Sequence, residues 1–536
     1  MRNSFKHLVV GSLLLMGGAA CADLEVANLN SADADRALAT AGDVESLISG
    51  SLNSWFWGVH AYGGSSMFMS NASFQHTAPW GNSGMEFYGR IPRVSIDNSV
   101  SAQEYGNFTR AWYRSYRAIA ALADGLRALD DPDIADELGA DAVAMDRAFG
   151  KYVQALAHAT VALMYDRGFV VTETTDLAEA QEPMDYMALM DVALGFFDEA
   201  ISLSGSASFE LPFNWMQDEV TNQDLVRIAH SQKARFRAQV ARTAAERAAV
   251  NWGAVMADVD AGITDTKTMD FDWDNGWYWE SLDYASDPGW GQLGYWMYGM
   301  ADQSGVYQDW LALPIGDKNY NLPDGTNILI QTPDLRFPQG ATVEEQRLTP
   351  GYAVRMSTAA EAGGTWKRPD RGVWRWSWYK AGPAFEEYGR GEQFIQPEIT
   401  IAEMNLLKAE GLYRGGQMAG AAALINPTRE AAGLNATDAN GLNTSCVPKL
   451  PNGQCGDLWE ILKWEKRMET VWTGINMVNW FWDGRGWGDL WKGTPLHHPV
   501  PCQEIEVLQM LPCSSFGGPG GEMGSPGSSY AFPFEG

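Results

Sequence analysis

Between Thr109 and Leu203 apolar residues return every three or four positions in three successive stretches, the spacing that lines one face of a helix. Trp112, Tyr116, Ile119, Leu122, Leu126 and Leu129 make the first stripe. Phe149, Tyr152, Leu156, Ala159 and Leu163 make the second, and Tyr186, Leu189, Ala193, Phe196, Ala200 and Leu203 the third. Pro132 and Pro183 fall between the stripes, where proline starts or stops helices. A fourth helix is predicted from about Asp224 to Ala249, rich in alanine and arginine, and helices resume near Glu398 and end by about Trp491. The pattern predicts a mostly α protein of antiparallel helix pairs, with a helical scaffold over about 109–250 and 398–491.

From about Asn251 to Arg390 the helical period disappears. Trp273, Trp277, Trp279, Trp290, Trp296 and Trp310 stand among Gly, Asp, Tyr and Pro, so loops and short strands are expected there. Loops this long inside a compact protein are either functional or disordered, and so many aromatic rings argue against disorder. The stretch from Trp55 to Tyr88 reads the same way, with Trp57, Tyr62, Phe68, Phe74 and Trp80 among Gly, Ser and Asn. After Cys513 the chain is rich in Gly, Ser and Pro, the composition of a flexible tail over 514–536.

The first 20 residues change the picture. Arg2 and Lys6 precede a short apolar run, Leu8 to Met16, and Gly18-Ala19-Ala20-Cys21 supplies the small residues that a lipoprotein signal peptidase needs at its cut. The run is too short to span a bilayer, so residues 1–20 read as a removed signal peptide and Cys21 as the lipidated first residue of a single domain over 21–513. The net charge is -29, and residues 1–20 carry two basic side chains and no acid, which takes the mature chain to about -31. Such a surface repels phosphate backbones and argues against nucleic acid as a partner. Four further cysteines, Cys446, Cys455, Cys502 and Cys513, are candidates for disulfides in an exported chain. Three pairings are open, and joining nearest neighbours is preferred because each bridge then staples a loop containing Pro or Gly. Their spacings match no zinc site.

The chain contains 23 tryptophans, far more than a core requires. A sugar ring has flat C–H faces and a rim of hydroxyls, and aromatic platforms flanked by Asp, Asn or Gln complement both. The stretch Asp272 to Trp296 interleaves the two types of residue, and Trp80, Trp277, Trp279, Tyr284, Trp290 and Trp296 are the candidate ligand contacts. Catalytic motifs are missing. Gly289, Gly291 and Gly294 spell G-x-G-x-x-G but follow Ser286-Asp287-Pro288 where a nucleotide-binding loop needs a strand. There is no G-x-S-x-G, P-loop or H-E-x-x-H. Asp270, Asp272 and Asp274 alternate as in a calcium loop, but Asn275 and Ser281 occupy the places of its glycine and its bidentate acid. No catalytic residue, metal or cofactor is therefore expected. Two rival readings stay open: a helical glycoside hydrolase with paired carboxylates, and a scaffold that binds only protein.

Glu398 to Leu434, with Ala409-Glu410 and Ile425, Asn426 and Arg429, resembles the helix pair that precedes the C-terminus of SusD/RagB-family lipoproteins. Ile461 to Trp487, with Gly474, Asp483 and Arg485, is similar to that family's closing helix, and Asp23 to Trp57 to its start after the lipidated cysteine. Pro427 and Thr473 depart from the pattern. The resemblance implies four tetratricopeptide-like helix pairs cradling a large, irregular, loop-rich ligand-binding region. It also implies a non-enzymatic outer-membrane lipoprotein that captures oligosaccharides or peptides for nutrient uptake. The implied partner is a SusC-like TonB-dependent transporter, faced by the helical half.

Overall fold

The computed structural model describes residues 38, 40–176, 178–272, 274–278, 280, 281, 285, 287–382, 394–471, 473 and 479–509. Helices dominate, and several begin where the sequence supplies a cap. Thr40, Thr400 and Asp457 accept the backbone N–H three residues on, and Thr221 and Asp224 form a reciprocal capping box. The helices pack in four successive pairs: Ala41–His60 with Tyr105–Ala128, Ala140–Met164 with Tyr186–Ser206, Asn222–Gln239 with Trp252–Asp260, and Ile401–Arg414 with Met418–Ala431. Each pair also touches the next, so the scaffold is one continuous stack, the architecture of a tetratricopeptide-like array. Small residues sit where helices cross. A Cβ on Gly125 would lie 2.7 Å from Ile48, and one on Gly411 2.8 Å from Met256.

Several elements differ from the sequence reading. Trp55–His60 closes the first helix and Ser65–Ala72 forms another, in a stretch expected to be loop; all eight residues of the latter are buried, so it has no polar face to reveal its period. Trp252–Asp260 is likewise helical and belongs to the scaffold, so the irregular region begins near residue 272. The expected 224–249 helix breaks after Gln239 because Thr243 caps a new start at Ala244, with Glu246 accepting the Arg242 N–H. A further helix, Cys502–Leu508, lies beyond the expected end of the helices. The Met418–Ala431 helix runs through Pro427.

The irregular region leaves and re-enters the scaffold through one ladder. Lys267–Phe271 pairs antiparallel with Phe394–Ile399, Met269 opposite Gln396. Between these strands the chain forms single helical turns, a second short ladder joining Ala353–Arg355 to Tyr379–Ala381, and turns. One buried core runs through both halves and includes Trp55, Trp112, Trp310, Trp464 and Trp482.

Candidate functional site

Three rings that remain half-buried come together on the loop-rich side: Tyr62 just after the first helix, Trp80 in the turn ahead of Met85–Gly89, and Trp290 in the turn before Tyr295–Tyr298. Trp80 and Trp290 meet edge to face with centroids 4.7 Å apart at 62°, and Tyr62 meets Trp290 at 6.1 Å and 86°. The Trp80 and Trp290 segments are far apart in sequence, and one polar node joins them. Thr77 and Gln292 exchange backbone hydrogen bonds of 2.8 and 2.7 Å, and the Thr77 hydroxyl donates to the Arg375 carbonyl at 2.6 Å. The Gln292 amide donates to the Pro288 and Ala362 carbonyls, both at 3.0 Å, and accepts from the Ser377 N–H at 2.8 Å. Gln292 is fully buried; it clamps three loops and does not reach outward as a sugar partner.

Each ring is also held individually. The Tyr62 hydroxyl accepts from Asn82 at 2.9 Å and shares a hydrogen bond with Ser83, while its backbone N–H donates to Glu280 at 2.6 Å. Arg371 donates to the Trp80 carbonyl at 2.9 Å and pairs with Glu86 at 3.3 Å. The Trp290 N–H donates to the Asp287 carbonyl at 2.9 Å. A cavity of about 340 Å³ begins at Gly81, the residue after Trp80, and is lined further by Gly84, Glu86, Arg90 and Glu104. Flat rings with amide, hydroxyl and carboxylate groups at their rim, beside an open cavity, suit a polyhydroxylated ligand.

The expected ligand contacts separate into groups. Trp80 and Trp290 belong to this platform, joined by Tyr62, which the sequence did not single out because nothing local distinguishes it from its neighbours Trp57 and Phe68. Trp277 and Trp296 are a correction: both are core residues, 4% and 7% exposed. Trp277 packs 5.3 Å from Phe56, and Trp296 lies against Phe74, Trp310 and Trp491 at 5.4, 4.6 and 5.6 Å. The apolar surface that a helix end and distant loops offer these two rings is invisible in their own Gly/Asp-rich surroundings. Trp279 and Tyr284 lie outside the described residues, as do Cys21 and Cys513. Cys446 and Cys455 form a disulfide, and Cys502 is disulfide-bonded as well. Among the described residues no group of three or more His, Cys, Asp or Glu is arranged to hold a metal ion.

No family model matches the sequence, and no curated protein does. Solved structures match the fold. A SusD superfamily protein from Bacteroides vulgatus aligns with a TM-score of 0.51 and 12% identity over 88% of this chain and 91% of its own. A SusD homologue from Parabacteroides distasonis aligns with a TM-score of 0.51 and 15% identity over 83% and 84%. A SusD-like carbohydrate binding protein from Bacteroides fragilis aligns at 0.50 and 15% over 84% and 87%. The chain therefore has the SusD-like fold, a tetratricopeptide-like helical scaffold carrying a loop-rich half.

Proposed function

We propose that this protein is a cell-surface lipoprotein, anchored in the outer membrane through Cys21, that binds oligosaccharides and passes them to a SusC-like TonB-dependent transporter. The observation that carries the reading is the half-buried Trp80–Trp290 pair, extended by Tyr62 and rimmed by Asn82 and Ser83. The rings are fixed by hydrogen bonds to their backbones, so they are arranged before a ligand arrives and little ordering cost falls on binding. The Bacteroides fragilis neighbour's description as carbohydrate binding agrees with this. Among the described residues no helix is long and apolar enough to cross a membrane, so membrane attachment in this reading rests on the lipid at Cys21. Tethering beside a transporter mouth raises the effective ligand concentration there, and modest affinity suffices for capture. The loop-rich half holds the ligand, the helical half faces the transporter, and no bond in the ligand is broken.

The test uses soluble protein starting after Cys21, titrated with neutral and acidic oligosaccharides and with peptides while tryptophan emission is followed. Saturable quenching by oligosaccharides, no new reducing ends on prolonged incubation, and loss of quenching in Trp290→Ala are the expected results. Release of reducing ends would make the protein a hydrolase, and a response to peptides alone would replace the ligand class.

A further inference from the structure

The segment from Gly363 to Ser377 is unusual in a chain with 67 acidic and 38 basic residues, because it places Lys367, Arg368, Arg371 and Arg375 within nine positions against a single acid, Asp370. Three of these cations are committed. Arg368 pairs with Asp370 at 3.0 Å, Arg371 with Glu86 at 3.3 Å, and Arg375 donates to the Arg371 and Gly372 carbonyls.

Lys367 is not. Its ammonium is shielded from solvent and has no hydrogen-bond partner. It sits against three rings, 4.2 Å from the centroid of Tyr320, 5.1 Å from Trp376 and 5.8 Å from Trp378. The indole N–H of Trp378 is taken by Asn321 at 2.8 Å, but the buried indole N–H of Trp376 has no acceptor. Trp376 is itself only 9% exposed. Ring faces offset part of the cost of shielding a cation, yet such a group still gains most from an anion at its side. Burial with no nearby carboxylate draws the Lys367 ammonium down to about 8, as an uncompensated charge requires. The unpartnered groups shown together here, the Lys367 ammonium and the Trp376 indole N–H, are both donors, and the species that matches them is an oxyanion, which only accepts.

The place fits the ligand platform. The Arg368 N–H donates to the Pro79 carbonyl at 3.2 Å, so Lys367 and Trp80 are each one residue from a shared backbone hydrogen bond. Their Cα atoms are thus separated by at most about 13 Å, within the span of one short oligosaccharide. Building on the oligosaccharide reading above, we infer that the ligand is an acidic oligosaccharide, with a carboxylate or sulfate-ester group held at Lys367 and Trp376 while neighbouring units stack on Trp80 and Trp290.

Three tetrasaccharide probes test this on the soluble chain by calorimetry: tetragalacturonate, its fully methyl-esterified form, and a sulfated galactan tetrasaccharide. One or both anionic probes should bind at least about tenfold tighter than the neutral ester, and the tighter of the two identifies the oxyanion. Lys367→Met, which keeps an apolar chain among the rings, should abolish that preference and leave binding of the ester within about twofold; Lys367→Arg should retain it. Equal affinity of all three for the wild-type chain, or a preference that survives Lys367→Met, overturns the inference while leaving the oligosaccharide reading in place. Binding of none of the three overturns both. Should Lys367→Met fail to fold, the comparison of the acid with its ester on the wild-type chain decides alone.

Discussion

Arg247 and Glu410 meet in a two-pronged ion pair, Nη2 to Oε2 at 2.7 Å and Nε to Oε1 at 3.0 Å, with both side chains closed off from water. Arg247 lies on the short helix that starts at Ala244 and Glu410 on Ile401–Arg414, 163 residues apart. Around them Arg247 also reaches Asp483 at 3.1 Å, Lys466 reaches Asp483 at 2.9 Å, and Trp487 donates to Glu410 at 3.2 Å. Glu410 and Asp483 are two of the residues through which the sequence resembles the SusD/RagB family. A third, Arg429, pairs with Glu465 at 3.3 Å, and Glu465 pairs with Arg336 at 2.9 Å. The family-like positions are thus the charged seams between helices, which is why they speak of scaffold and not of ligand.

Removing one side of such a buried pair strands the other charge. Glu410→Gln should cost about 3–5 kcal/mol in urea unfolding, and the double replacement Arg247→Met with Glu410→Leu should cost less than either single change. A loss below about 1 kcal/mol for Glu410→Gln would show that water reaches the pair. Burial alone would raise the Glu410 carboxyl, but Arg247, Lys466 and Arg414 outweigh it and hold the group down to about 2. The contribution is therefore complete above the unfolded value of about 4.5 and lost as pH falls from there toward 2.

Trp290 and Trp277 make opposite predictions from similar surroundings in the sequence. Trp80→Ala and Trp290→Ala should each weaken oligosaccharide binding at least about tenfold, with the melting temperature close to that of the parent chain. Trp277→Ala and Trp296→Ala remove core rings and should cost about 3–5 kcal/mol of stability. Paired calorimetry and thermal melts check both halves. A large melting loss for Trp290→Ala would return that ring to the core.

How much was legible follows from which faces were wet. The helices around Trp112 and Phe196 have one dry side, so their period shows; the helix around Leu156 is buried on every side from Ala148 to Met164 and shows its period only in the spacing of its large side chains. Ser65–Ala72 is dry on every side and its period does not show. Trp290 and Trp277 have the same kinds of neighbour in sequence, and only the arrival of Phe56 beside one ring and Trp80 beside the other separates them. Gln292 stands two residues after Trp290 in the aromatic stretch, but its hydrogen bonds to Thr77 and to residues 288, 362 and 377 exist only after four loops have met. Lys367 carries no motif at all. Its isolation depends on Tyr320 and Trp378 folding over it, and no local pattern announces that.

Asp146 is a buried acid with neither oxygen hydrogen-bonded, and burial, helped by Glu45, pushes its carboxyl up to about 7. In the unfolded chain it ionises near 3.9. Below that value both states hold the proton and the group is neutral for stability; between about 4 and 7 the unfolded state alone releases it, so stability falls as pH rises. Asp146→Asn should match the parent chain at pH 3.5 and exceed it by about 1–3 kcal/mol at pH 8. Melting curves at the two pH values check this, and an equal difference at both would mean that the carboxyl is not the titrating group.

The Cys446–Cys455 bridge closes a loop across a sequence separation of nine that fastens the scaffold to the aromatic half. Within it the Lys449 N–H donates to the Met300 carbonyl at 2.6 Å, and the Cys446 carbonyl accepts from Gln303 at 2.9 Å. Cross-linking so short a loop chiefly limits the freedom of the unfolded chain, worth roughly 2–3 kcal/mol. Replacing both cysteines with serine should therefore lower stability by that amount and speed amide exchange at Lys449 first, because its hydrogen bond to Met300 depends on the loop keeping its shape. Unchanged exchange at Lys449 with lowered global stability would place the whole effect in the unfolded state. Unchanged stability would mean that the surrounding contacts, Val447 in the core among them, hold the loop without the bridge.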